Sequence, residues 1–210
     1  MLLNPGPLPY YMELNRKLIH LSSLWMPLII YYTERGAAVL IFTVLLAGML
    51  IYETVRIQDH GLSKLAIKLT HLMLREHETK GHFQLTGASY VLISALIVTL
   101  LFPKIIAITA LSIMLISDTA AALIGKRYGQ PSALGKSWAG SIAFAISGFI
   151  TIFILSNLLH QPVIFIGSGC AATLAAMMIE RYSKQLHVDD NLSITLTVAI
   201  ALSITFNLVG

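Results

Sequence analysis

Long apolar runs constrain this chain more than any other feature. They recur seven times, at Leu18–Tyr32, Ala37–Tyr52, Gly87–Phe102, Ile105–Ile124, Ile142–Leu159, Pro162–Ile179 and Leu192–Val209. They are runs, not the one-sided amphipathic periods of a soluble domain. Only 11% of the residues are charged, against about 25% in a typical soluble domain, so the bilayer is the expected solvent. A helix satisfies its own backbone groups there. Several runs are shorter than the ~20 residues of a typical span, and polar first turns such as Glu13–Lys17 are expected to extend them. The chain reads as all-α: one domain over residues 1–210, a polytopic membrane helix bundle of about seven transmembrane helices.

The charges between the runs orient the bundle. Arg16, Lys17, Arg56, Lys64, Lys68, Arg75, Lys80, Lys126, Arg127, Lys136, Arg181 and Lys184 would share one side, leaving only Arg35 and Lys104 on the other. Basic residues collect on the cytoplasmic side, which puts the N-terminus in the cytoplasm. Within the 53–86 loop, Leu62, Leu65, Ala66, Leu69, Leu72 and Met73 recur at helical spacing, with Lys64, Lys68, His71 and Arg75 largely on other faces. This predicts an amphipathic helix, lying on the inner leaflet or packed on the bundle. Met1–Pro9 lacks the basic start and apolar core of a signal peptide. Cys170 is the single cysteine, expected to be a small buried hydrophobe. The net charge of +4 is spread over several loops, with no basic stripe or interleaved aromatics, so nucleic acid is not an expected partner.

Four polar groups need a reason. Glu13, Arg16, Lys17 and His20 fall on one helical face. Arg16 and Lys17 alone could be a membrane anchor, but His20 lies a turn deeper among apolar residues. Arg75–His82 is a charged loop whose two histidines lack the spacing of a helical zinc pair. Asp118 closes an apolar run, and a carboxylate at the edge of a membrane helix is costly without a partner or a task. After it come Gly125, Lys126, Arg127 and Gly129, then Lys136, Ser137 and Gly140. Such glycines let backbone amides approach phosphate, and Ser137 could cap a helix whose positive end favours it. The segment is no phosphate-binding P-loop, because Gln130 stands where that pattern needs glycine and no strand precedes it. The fourth group is Glu180, Arg181, Asp189, Asp190 and Asn191. Asp189 and Asp190 could share a divalent cation with Asp118 and substrate phosphates, or simply cap the last helix.

In this order the groups resemble the CTP-dependent lipid kinases, which include dolichol kinase, phytol kinase and the CTP-using diacylglycerol kinase of fungi. The matching pieces are Glu13-x-x-Arg16-Lys17-x-x-His20, Arg75 to Gly81, Asp118-x-x-Ala121-x-x-x-Gly125-x-x-x-Gly129, Lys136-Ser137-x-x-Gly140-Ser141 and Asp189-Asp190-Asn191-Leu192. The resemblance implies phosphorylation of a lipid alcohol by CTP with a divalent metal, and implies that Arg16, Lys17, Asp118 and Gly125 matter for activity. The partners expected are therefore a lipid alcohol (polyprenol, phytol-like or diacylglycerol), a nucleotide and membrane lipids. The setting would be the cell membrane of a prokaryote or the endoplasmic reticulum of a eukaryote. On this reading Asp118 holds Mg²⁺ with Asp189 or Asp190, and Lys126, Arg127, Lys136 and the loop amides hold the triphosphate. Arg16 and Lys17 stabilise developing charge, and Asp118, Glu13 and His20 are candidate bases. A homo-oligomer is compatible with everything above. Two alternatives stand: a CDP-lipid-forming cytidylyltransferase, whose long C-terminal signature is absent, and a small transporter, which would need polar residues through the midplane of several spans.

Overall fold

The computed structural model describes residues 10–57, 85–130, 136–186 and 188–209. The expected amphipathic helix and the Arg75–Gly81 motif lie outside the described residues. Those described form eight helices and no strand: α1 (Tyr10–Ser22), α2 (Trp25–Tyr32), α3 (Arg35–Ile57), α4 (Gly87–Leu101), α5 (Lys104–Tyr128), α6 (Trp138–Leu158), α7 (Val163–Leu186) and α8 (Asp190–Val209). Among them α3, α5, α6 and α7 are long and apolar enough to cross a membrane, while α4 and α8 are shorter apolar helices.

The first apolar run is two helices rather than one. α1 ends in tight turns, with Ser23 N–H donating to His20 O and Leu24 N–H to Leu21 O, both at 3.1 Å. Pro27 supplies the reason: it has no N–H, and in a continuous helix its ring would strike the carbonyl four residues back, that of Ser23. The break sets α1 apart as a separate polar-faced element at one end of the bundle.

The core centres on α5. Residues Ile106 to Leu115 of this helix are all buried, and it packs against α1, α2, α4, α6 and α8. A side chain at Gly148 would overlap Thr173, and one at Gly169 would overlap Ile152. These glycines bring α6 and α7 close, which suits a bundle whose helices gain from van der Waals contact rather than from leaving water. Most threonine hydroxyls inside the bundle are locally satisfied, whereas buried Ser117 Oγ has no hydrogen-bond partner among the described residues. Thr99, Thr109, Thr119, Thr151, Thr173 and Thr195 each donate to the carbonyl four residues earlier, so they are compatible with an apolar surround without forming a path. Cys170 is only half-buried, not sealed in the core.

The two basic residues assigned to the outer side meet there. Arg35 Nε donates to Thr99 O at 2.8 Å and its Nη2 to Leu100 O, at the end of α4. Lys104 Nζ donates to Thr33 O at 3.1 Å, just past α2. Each fills carbonyls that a helix end leaves without partners. The ion pairs among the remaining charges lie elsewhere, on α1, α5, α7, α8 and the turn before α6.

Candidate functional site

The charged end is built around the C-terminal half of α5. α1 crosses it and delivers one polar face. Lys17, 2% exposed, donates from Nζ to Oδ2 of Asp118, itself 4% exposed. One turn on, His20 Nε2 lies 3.6 Å from the same oxygen. It is buried without a hydrogen-bond partner among the described residues. Arg16 and Glu13 pair at 2.5 Å on the outer part of that face. Burial alone would raise the Glu13 carboxyl, but the Arg16 hydrogen bond and the charges of Arg16, Lys17 and Lys126 outweigh it, so the net shift is downward.

A second ion cluster joins three chain segments. Lys136, in the turn before α6, donates from Nζ to Glu180 Oε1 at 2.6 Å and to Asp190 Oδ2 at 2.9 Å. Burial works against its charge. Asp190 and Glu180, with Asp118 beyond them, override that and hold the ammonium above the ordinary lysine range. Asp118 is thus within electrostatic reach of both clusters. Glu180 is 3% exposed and its Oε2 has no hydrogen-bond partner. Next to it, buried Arg181 reaches Ser141 Oγ at 3.3 Å and lies 3.8 Å from the centre of the Trp138 ring, a cation–π arrangement.

The glycines and Ser137 form the crossing of α5 and α6. Ser137 caps α6, its Oγ accepting the Gly140 N–H at 3.1 Å. Gly129 N–H donates to Gly125 O at 2.9 Å and ends α5. A side chain at Gly140 would place its Cβ 2.8 Å from the Ala121 carbonyl oxygen, and one at Gly129 would overlap Gly125 O and Ser137. At Gly125 and Gly140 the two helices touch backbone to backbone, at Gly129 the cap residue Ser137 takes the space, and the Gly129 and Gly140 amides already have partners.

The other candidates separate as follows. Lys126 is half-buried and within electrostatic reach of Glu13, whereas Arg127 is exposed and lies over Tyr128, 5.4 Å from the ring centre. Asp189 Oδ1 accepts the Asn191 N–H at 2.9 Å, as an N-cap of α8 does. Among the described residues no group of three or more His, Cys, Asp or Glu is arranged to hold a metal ion. Glu180 belongs to the fourth polar group of the sequence but carries no role there; the structure sets it against Lys136 together with Asp190.

Beside His20 a cavity of about 470 Å³ opens between α1, α3 and α4. Arg16, His20, Thr86 and Asn191 stand among its lining, and the remainder is mostly apolar. Thr86 is held by buried Glu53, whose Oε1 accepts from Thr86 N at 2.7 Å, Thr86 Oγ1 at 2.8 Å and Ser89 Oγ at 2.6 Å.

Comparison with known proteins accompanies this geometry. The chain is 32% identical to an uncharacterized protein of Rickettsia prowazekii (strain Madrid E), over 91% of this chain and 94% of that one. It is 31% identical to "Probable phytol kinase 1, chloroplastic" of Oryza sativa subsp. japonica, over 92% of this chain and 65% of the rice protein. It is 32% identical to "Probable phytol kinase, chloroplastic" of Zea mays, over 93% and 67%. The chain therefore spans about two thirds of the length of these plant relatives. No family model and no solved structure matches it.

Proposed function

This chain belongs to the family of the plant phytol kinases, and from that premise we propose that it phosphorylates the hydroxyl of a lipid alcohol at a membrane face. The observation that carries the reading is Asp118. The central helix holds this acid beside Lys17 and His20 of α1, at the end where Lys126 and Lys136 also lie. Phosphoryl transfer depends on positioning and on neutralising phosphate charge, and this end concentrates cations around a few acids. We assign it to the cytoplasmic side of a seven-span bundle, on the strength of the lopsided basic residues.

The donor would be a nucleoside triphosphate, CTP by resemblance, with Arg16, Lys17, Lys126 and Arg127 meeting its phosphates and Lys136 close behind. The acid set suits magnesium, which takes one or two carboxylates together with phosphate oxygens. Asp118 and Asp190 would hold it, Glu180 having the spare oxygen and Asp189 capping α8. A bound magnesium ion would supply further neutralisation of the phosphate charge. Of the candidate bases, Asp118 is paired with Lys17 and Glu13 with Arg16, while His20 Nε2 has no partner. We assign His20 to receive the hydroxyl proton as the alcohol oxygen bonds to the γ-phosphorus and the bridging bond to the nucleoside diphosphate breaks.

The test is purified protein with CTP or ATP, Mg²⁺, and a phytol-like alcohol, a polyprenol or diacylglycerol. A lipid monophosphate with nucleoside diphosphate, lost on chelation with EDTA, is expected. Pyrophosphate with a CDP-lipid would sink the kinase reading in favour of a cytidylyltransferase.

A further inference from the structure

We propose that the cavity between α1, α3 and α4 seats the hydrocarbon tail of the lipid acceptor, and that Gly48 sets how bulky a tail it takes. The inference rests on the lipid-kinase reading and names where its acceptor sits.

The cavity lining is of two kinds. Ile19, Met26, Leu45, Met49, Val91 and Leu92 make apolar walls, and Arg16, His20, Thr86 and Asn191 provide the polar part. Its volume of about 470 Å³ lies within the roughly 300–1,000 Å³ of small-molecule sites. Among the described residues Arg16 is the one Lys or Arg in the lining, which is sparse charge for a triphosphate. It suits a long apolar body ending in one hydrogen-bonding group.

His20 says where that group goes. Its side chain is 10% exposed, its Nε2 has no hydrogen-bond partner, and this nitrogen stands 3.6 Å from Asp118 Oδ2. A buried polar atom left unpaired carries a desolvation cost. On this proposal the hydroxyl comes to the His20 side of the cavity, beside the acid of the proposed transfer. A phospholipid would bring a charged phosphodiester, for which the lining provides one Lys or Arg among the described residues.

Gly48 lies on the α3 wall within a 23-residue helix. Glycine inside a helix is unfavourable relative to alanine, and packing does not demand it here: a Cβ at Gly48 meets no atom within 4 Å. What the glycine preserves is space. On this proposal a leucine there takes up part of the tail site, starting from a Cβ that meets no neighbour. Gly36, on the same helix, is equally open but does not line the cavity, and serves as the control.

The experiment compares wild type, Gly48→Leu and Gly36→Leu in nanodiscs. Each is assayed with a 20-carbon branched isoprenoid alcohol and a short linear alcohol, and each is photolabelled with a diazirine analogue of the long alcohol. Gly48→Leu is expected to lower kcat/KM for the branched alcohol by roughly tenfold or more relative to the short one, with the nucleotide KM unchanged and Gly36→Leu near wild type. Label is expected on α3 and α4 peptides, displaced by free isoprenoid alcohol and not by phospholipid. Equal losses for both alcohols, or label that phospholipid displaces as well, would overturn the proposal. If no variant phosphorylates any alcohol yet the label is displaced as described, the kinase reading fails and the tail site stands. If alcohols are phosphorylated but the label lies elsewhere, the tail site fails and the kinase reading stands. The labelling arm uses wild-type protein, so it decides the matter even if Gly48→Leu does not fold.

Discussion

Asp118 can be tested so that its structural and chemical roles come apart. Lys17 and Asp118 are 2% and 4% exposed and share a direct ion pair. Two unit charges about 4 Å apart attract by about 4 kcal/mol at an effective dielectric constant of about 20, and removing one partner of a buried pair typically costs about 3–5 kcal/mol. Asp118→Asn strands the Lys17 ammonium, and Lys17→Met strands the carboxylate. His20, a tenth exposed and not a full charge, does not replace Lys17 at 3.6 Å. Each single variant should therefore lose about 3–5 kcal/mol of unfolding free energy in detergent. The double variant has neither charge, and neutral replacements of buried pairs are often tolerated, so most of that loss should return. Activity should not return. Losing a group that stabilises transition-state charge costs roughly 10²–10³ in turnover, and the double variant lacks both. Unfolding titrations and lipid phosphorylation, measured on the same preparations, decide it. A double variant that is stable and nearly fully active would refute the reasoning, because the pair would then be scaffold alone. Single variants as stable as wild type would refute the burial on which the magnitude rests.

The remaining predictions concern the surroundings of that pair. Lys136→Met should destabilise by about 3–5 kcal/mol, because it leaves Glu180 and Asp190 facing each other without their shared cation; adding Glu180→Gln should restore part of this, as unfolding titrations will show. Gly140→Ala, forced against the Ala121 carbonyl, should cost about 1–3 kcal/mol, whereas Gly167→Ala, with open space around its Cβ, should be neutral or stabilising by up to about 1 kcal/mol. The two melts side by side check it. The Glu13 carboxyl is shifted down, so its contribution is present above the ordinary glutamate range and is lost as pH falls through its lowered value. Stability of Glu13→Gln should therefore depend less steeply on pH below about 4.5 than that of wild type, with no difference near neutrality.

How much of this was readable beforehand depended on the range of the interaction concerned. Helix positions follow the apolar runs because backbone satisfaction in hydrocarbon is local. The common face of Glu13, Arg16, Lys17 and His20 follows from a period of 3.6 residues. Hydropathy alone makes one helix of the first apolar run, while the missing N–H of Pro27 marks the break before α2. What no period could supply is pairing between segments. Lys136 meets Glu180 and Asp190 across 44 and 54 residues, and only the packing of α6, α7 and α8 decides that it does. The glycines show how one local signal serves two physical ends. Close approach of a backbone to phosphate and close approach of two helices both require a missing Cβ, and the sequence cannot say which surface comes near. Here α6 comes near, with the Gly129 and Gly140 amides already bonded. Neither amide is free to meet an anion, and the cations at this end are held in place by other groups. Buried acids do that holding: Asp118 anchors Lys17, and Glu180 with Asp190 anchors Lys136. The carboxylates that make this end costly to bury are thus what keeps its positive charge inside the bundle.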